Sequence, residues 1–168
     1  MPPLAEESIL FIFAQVSVLF AGFGGVSVIL GRLQTNVERA RLRNVVFTAV
    51  LLLLMSLFPL LPNQIGLEPE VTWRIGTGVL ALFTIVFYSA SDDLQLFRDA
   101  NKVDQSLIIG DFVLLVFLLA NTLGFFVGSP ATVYLIALFW NLLSACLMFS
   151  MVFAPVWQDE GSGSEQSD

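Results

Sequence analysis

The residues able to do chemistry in this chain are few, and they sit inside apolar runs. Gln15, Asp111, Asn121 and Asn141 are the amide and carboxylate groups so placed. Thr84, Thr122, Ser144 and Ser150 add hydroxyls. A polar group surrounded by hydrocarbon must find a hydrogen-bond partner, and an ionisable one is a starting point for a proton or cation path. Asp111 is the one acid in such a setting. It falls about one turn from the expected start of its helix, where a carboxylate favours the positive end of the helix dipole and reaches water. Asn121 and Asn141 flank a turn near residue 129. At about 1.5 Å per residue their levels differ by roughly 6 Å, close enough that the two amides could meet directly or through water, as interhelical contacts or as the lining of a polar cavity.

Other chemistries are missing their residues. The chain has no histidine, which removes His-ligated haem, His-based metal centres and Ser-His hydrolysis. Its one cysteine, Cys146, has no partner for an intrachain disulfide or a Cys-x-x-Cys centre. Asp92-Asp93 is followed by Leu, Gln and Leu, so no DDxxD metal-diphosphate pattern forms. A solvated helix start, with Gln95 completing a capping-box arrangement, accounts for that acid pair better. No cofactor and no catalytic constellation is expected. The net charge of −7 also argues against nucleic acid, which needs clustered positive charge.

The elements that carry these residues follow from composition. Of 168 residues, 57% are hydrophobic and only 12% charged, about half the charged share of an ordinary soluble domain. A fold of this size cannot bury that much apolar surface from water. Charge-free runs cover Ser8 to Gly31, Asn44 to Leu67, Ile75 to Ser91 and Phe112 to Gln158. About 20 apolar residues cross a bilayer as a helix, so the last run is two spans, divided at Val127-Gly128-Ser129-Pro130. The expected fold is all-α: an integral membrane protein with a five-transmembrane-helix antiparallel bundle. Its helices are expected at about 8–31, 44–62, 73–91, 107–128 and 131–154, in a single domain over 1–157. The acidic, Gly/Ser-rich segment 158–168 is expected to be a disordered tail. Pro59 should kink the last turn of the second span and Pro62 should end it. Ser91 to Ser106 reads as a short amphipathic helix, and Trp73 and Trp157 as interfacial aromatics.

Orientation comes from the basic residues. Arg32, Arg39, Arg41, Arg43, Arg98 and Lys102 fall in loops on one side, and Arg74 stands alone on the other. The positive-inside bias puts the N-terminus outside and the C-terminus in the cytoplasm. Glu6 and Glu7 give the N-terminus no positive n-region, so the first span should be an uncleaved anchor. The first-loop arginines 32, 39, 41 and 43 are candidate contacts for anionic lipid headgroups.

Residues at four-residue spacing mark expected helix contacts: the small Ser17, Ala21 and Gly25 in the first span, the small Ala120, Gly124 and Gly128 in the fourth, and Ala137, Asn141 and Ala145 in the fifth. A multi-pass protein of a bacterial-type inner or plasma membrane is the expectation, with the lipid bilayer, other membrane proteins or further copies of itself as partners. A non-catalytic scaffold, assembly or regulatory subunit fits the scarcity of charge. A small transporter or channel is the alternative, with Gln15, Asp111, Asn121 and Asn141 lining its path. A lipid-handling enzyme would need clustered acids, and the acids here are scattered.

Overall fold

The computed structural model describes residues 6–29, 36–90, 102–125 and 129–162, and among them every regular element is helical. They are α1 (Glu7–Ile29), α2 (Asn36–Leu57), α3 (Leu60–Gln64), α4 (Pro69–Ala90), α5 (Lys102–Thr122) and α6 (Pro130–Ser162). Five stretches are long and apolar enough to cross a membrane: Glu7–Val26, Leu42–Gln64, Pro69–Ser89, Gln105–Thr122 and Pro130–Val152. Four belong to α1, α4, α5 and α6, and one runs through α2 and α3.

Several boundaries differ from those expected, each for a local reason. Helix α2 starts at Asn36, so Arg39, Arg41 and Arg43 lie in the helical entry to the second apolar stretch rather than in an open loop. The α2–α3 break falls before Pro59, which caps α3 with helical φ −63° and ψ −20°. Pro62 lies within α3 and does not end it. The chain leaves that turn at Gly66, whose φ is +84°. Gly66 N donates to Asn63 O at 3.1 Å and Leu67 N to Pro62 O at 3.2 Å. That pair of bonds is a Schellman ending, which favours glycine at the left-handed position. Helix α5 ends the same way. Gly124 has φ +79°, with Gly124 N on Asn121 O and Phe125 N on Ala120 O, both at 3.0 Å. The helix expected to reach 128 therefore stops at Thr122. At its other end α5 takes in residues 102–106 of the expected amphipathic helix, while 91–101 lie outside the described residues. Helix α6 continues to Ser162, past the expected end at 154; of the expected tail, 163–168 lie outside the described residues.

The chain divides into two compact units, Met1–Phe11 with Met55–Phe139, and Ile12–Leu54 with Trp140–Asp168. In the first, α4 packs along α5, and its core includes Trp73, Leu80, Leu118, Tyr134 and Leu138. In the second, Leu42, Val45, Ala49 and Leu52 of α2 are buried, as are Ser17 of α1 and Ala145 of α6.

Candidate functional site

The polar side chains of the first unit meet at two levels of the α4–α5 pair. At one level, Thr77 Oγ1 turns back on its own helix, 2.9 Å from Arg74 O and 3.1 Å from Trp73 O. Its oxygen then accepts from Asn121 Nδ2 at 3.4 Å. The same amide reaches Pro130 O, at the start of α6, at 3.3 Å. Thr122 Oγ1 donates to Leu118 O at 2.8 Å and lies 3.3 Å from Thr77 Oγ1. Thr77 is fully buried and Asn121 nearly so. At the other level, the Tyr88 hydroxyl donates to Asp111 Oδ2, and the Phe112 ring stacks on Tyr88 with centroids 5.5 Å apart.

These two levels share one register. Thr77 to Tyr88 on α4 and Asp111 to Thr122 on α5 span equal intervals, about three helical turns each. Antiparallel helices in contact bring both pairs together at once. Gly78 makes the close approach possible: a Cβ there would meet Thr122 Cγ2 at 3.1 Å.

Beside the Thr77 level stands an aromatic wall. Tyr134 of α6 is fully buried. Its ring lies 5.5 Å from that of Trp73, tilted by 52°, against Gly76, where a Cβ would meet Tyr134 Cε2 at 3.2 Å. The Tyr134 hydroxyl donates to Met55 O at 2.5 Å. Trp73, read from the sequence as an interfacial aromatic, is 3% exposed and part of this wall. Outside it, Arg74 pairs with Glu70 at 2.5 Å. The Arg74 guanidinium also lies over Gly124, where a Cβ would come within 3.0 Å of Nη1. A cation at that place faces the negative end of the α5 dipole.

The expected site residues are shared between the two units. Asn121 and Asp111 are in the first unit, each with a partner on α4 or, for Asn121, also at Pro130. Asn141 and Gln15 belong to the second. The amide nitrogen of Asn121 serves Thr77 Oγ1 and Pro130 O, close to where the hairpin turns. Gln15 is exposed on α1. Of the arginines, Arg32 lies outside the described residues, Arg39 and Arg41 fall in the first turns of α2, and Arg43 is exposed.

The small residues also sort by role. Ser17 is buried and bonds back to Phe13 O at 2.7 Å, and Ala21 is half-buried. Gly25, expected to continue their seam, has no atom within 4 Å of its Cβ position; at Gly24 a Cβ would meet Val46 Cγ2 at 2.6 Å. The reason is helical pitch. Two four-residue steps overshoot two turns by roughly 80°, whereas seven residues fall short by only about 20°. Gly124 ends its helix rather than packing along it, Ala120 is half-buried, and Gly128 lies outside the described residues.

Thr77, Tyr88 and Tyr134 were not among the residues the sequence singled out. The equal intervals on α4 and α5 were the available signal for the first two. Chemically, the Thr77–Asn121–Thr122 net holds only neutral donors and acceptors, while Tyr88–Asp111 joins a phenol to a carboxyl group that can exchange a proton. Among the described residues no three acidic or sulfur side chains gather in a way that could hold a metal ion. No protein-family model, curated protein or solved structure matches this chain.

Proposed function

We propose that this chain is a multi-pass integral membrane protein of a bacterial-type inner or plasma membrane, with its N-terminus outside and its C-terminus in the cytoplasm, acting as a non-catalytic scaffold, assembly factor or regulatory subunit. The observation that carries this reading is how the polar groups inside the apolar helices are spent. Asn121, Asp111 and Tyr134 are engaged with Thr77, Tyr88 and Met55 O, which is what lipid demands of buried polar groups. Outward surfaces present large apolar side chains instead, such as Leu19, Phe23, Leu82, Val116 and Phe139. Such surfaces suit lipid tails and the helices of other membrane proteins. The orientation rests on the Lys/Arg bias.

Transport is the second reading. It is favoured by the phenol–carboxyl pair of Tyr88 and Asp111 and by two buried hydroxyls, Thr72 Oγ1 and Ser144 Oγ, without partners among the described residues. Purification of the full chain in mild detergent separates the two. The scaffold reading expects a stable complex with another membrane protein or with further copies. A solitary chain that moves protons or cations in liposomes, and stops doing so as Asp111→Asn, would overturn it in favour of transport.

A further inference from the structure

Gln15 is the unusual residue on the outer surface of α1. It lies near the middle of the apolar stretch Glu7–Val26, it is exposed, and its neighbours on that surface are Phe11, Ile12, Val18 and Leu19, each also exposed. Exposed hydroxyls elsewhere satisfy themselves on their own helix, as Ser150 does on Cys146 O at 2.8 Å and Ser89 on Val86 O at 3.0 Å. A glutamine amide carries two donors and an acceptor at the end of a longer stem, so one back-bond does not satisfy it. The other mid-span amides are less exposed: Asn121 is buried and bonded, and Asn141 is half-buried.

Seven residues beyond Gln15, and hence within about 20° of its direction around the helix, stands Gly22. It is exposed, and nothing lies within 4 Å of the position its Cβ would take. An amide that needs a partner and a bare backbone that admits one thus share a face.

We infer that this face of α1 docks against α1 of a second copy of the same chain, with the two Gln15 amides bonding each other across a two-fold axis. The inference rests on the proposed membrane insertion. Every inserted copy has the same orientation, so a neighbouring α1 runs parallel and brings its own Gln15 to the same depth without any further registration. The carboxamide is self-complementary, donor to acceptor and acceptor to donor, which an isologous contact requires. The absence of charge from Phe11, Ile12, Val18, Leu19 and Gly22 matches a face that meets its own image in hydrocarbon.

The test uses the full chain reconstituted in neutral phosphatidylcholine vesicles, with insertion first verified by resistance to carbonate extraction. Energy transfer is then measured between donor- and acceptor-labelled copies diluted with lipid. The proposal expects transfer that saturates as a dimer. Gln15→Leu should weaken self-association about tenfold, since an interhelical bond of this kind contributes modestly in lipid, while Gln15→Asn retains part of it. Gly22→Leu should weaken it by hindering approach. In a Cys146→Ser background, Leu19→Cys should form a disulfide between copies, and adding Gln15→Leu should reduce its yield. Carbonate-resistant chains that stay monomeric, or that dimerise unchanged as Gln15→Leu, would overturn the inference and leave membrane insertion standing. Co-purification of a different membrane protein, lost as Gln15→Leu while no self-transfer is seen, would overturn it in favour of a foreign helix. Chains released by carbonate would instead remove the insertion on which it rests.

Discussion

The hydroxyl of Tyr134 donates to the carbonyl oxygen of Met55, and that carbonyl is the one Pro59 cannot serve. Residue 59 would ordinarily send its amide hydrogen four residues back, but proline has none. A side chain far along the sequence supplies the donor instead. The α2–α3 break is thereby tied to α6 within the first unit, with Trp73 and Gly76 holding the phenol ring in place.

Removing the phenol should expose this dependence. Tyr134→Phe leaves a buried carbonyl short of a donor, at a cost of about 1–2 kcal/mol. Pro59→Ala restores a backbone amide at that place, so the double variant should lose less than the sum of the singles. Steric-trapping or denaturant unfolding in bicelles measures all four corners of the cycle. Strict additivity would mean that the two residues do not share the Met55 carbonyl.

The glycines of α1 should respond differently to one added methyl. Gly24→Ala must displace Val46, a β-branched side chain with little freedom in a helix, and should cost about 1–3 kcal/mol. Gly25→Ala meets no neighbour and gains helix propensity worth up to about 1 kcal/mol. Equal effects of the two in an unfolding assay would contradict the Gly24–Val46 contact.

At the end of α5, Gly124→Ala should destabilise by about 1 kcal/mol from left-handed backbone strain, with crowding of the Arg74 guanidinium in addition. Shortening the arginine, as Arg74→Ala, should relieve the crowding and leave the strain. Unfolding free energies of the two singles and the double separate these contributions.

Tyr88 and Asp111 should be energetically coupled. A double-mutant cycle of Tyr88→Phe and Asp111→Asn should give a coupling of about 1 kcal/mol, toward the upper part of the range for side-chain bonds between membrane helices. The scaffold reading further expects Asp111→Asn to leave proton flux in dye-loaded liposomes unchanged.

How much of this was legible in the sequence depends on the type of signal. Charge-free runs reveal the five long apolar stretches because length and hydropathy are properties of a segment by itself. Helix ends are harder. Gly128 and Pro130 looked like the turn, yet Gly124 takes a left-handed position four residues earlier and closes α5 with bonds to Asn121 O and Ala120 O; spacing alone did not say which of the two glycines would end the helix. Asn121 and Asp111 stood out because amides and acids are rare in apolar runs. Their partners Thr77 and Tyr88 did not, since threonine and tyrosine are ordinary in such helices. Only pairing the intervals Thr77–Tyr88 and Asp111–Thr122 across two helices would have shown them. Tyr134 was hidden for a further reason: its partner is a backbone carbonyl, made needy by a proline in another helix.

In the proposed topology the chain crosses the bilayer five times, which leaves its two ends in different compartments. Compartment-sensitive reporters fused in turn to the N-terminus and the C-terminus of the full chain read this out. The expected result is an external signal from the N-terminal fusion and a cytoplasmic one from the C-terminal fusion. Both reporters signalling from the same compartment would contradict it.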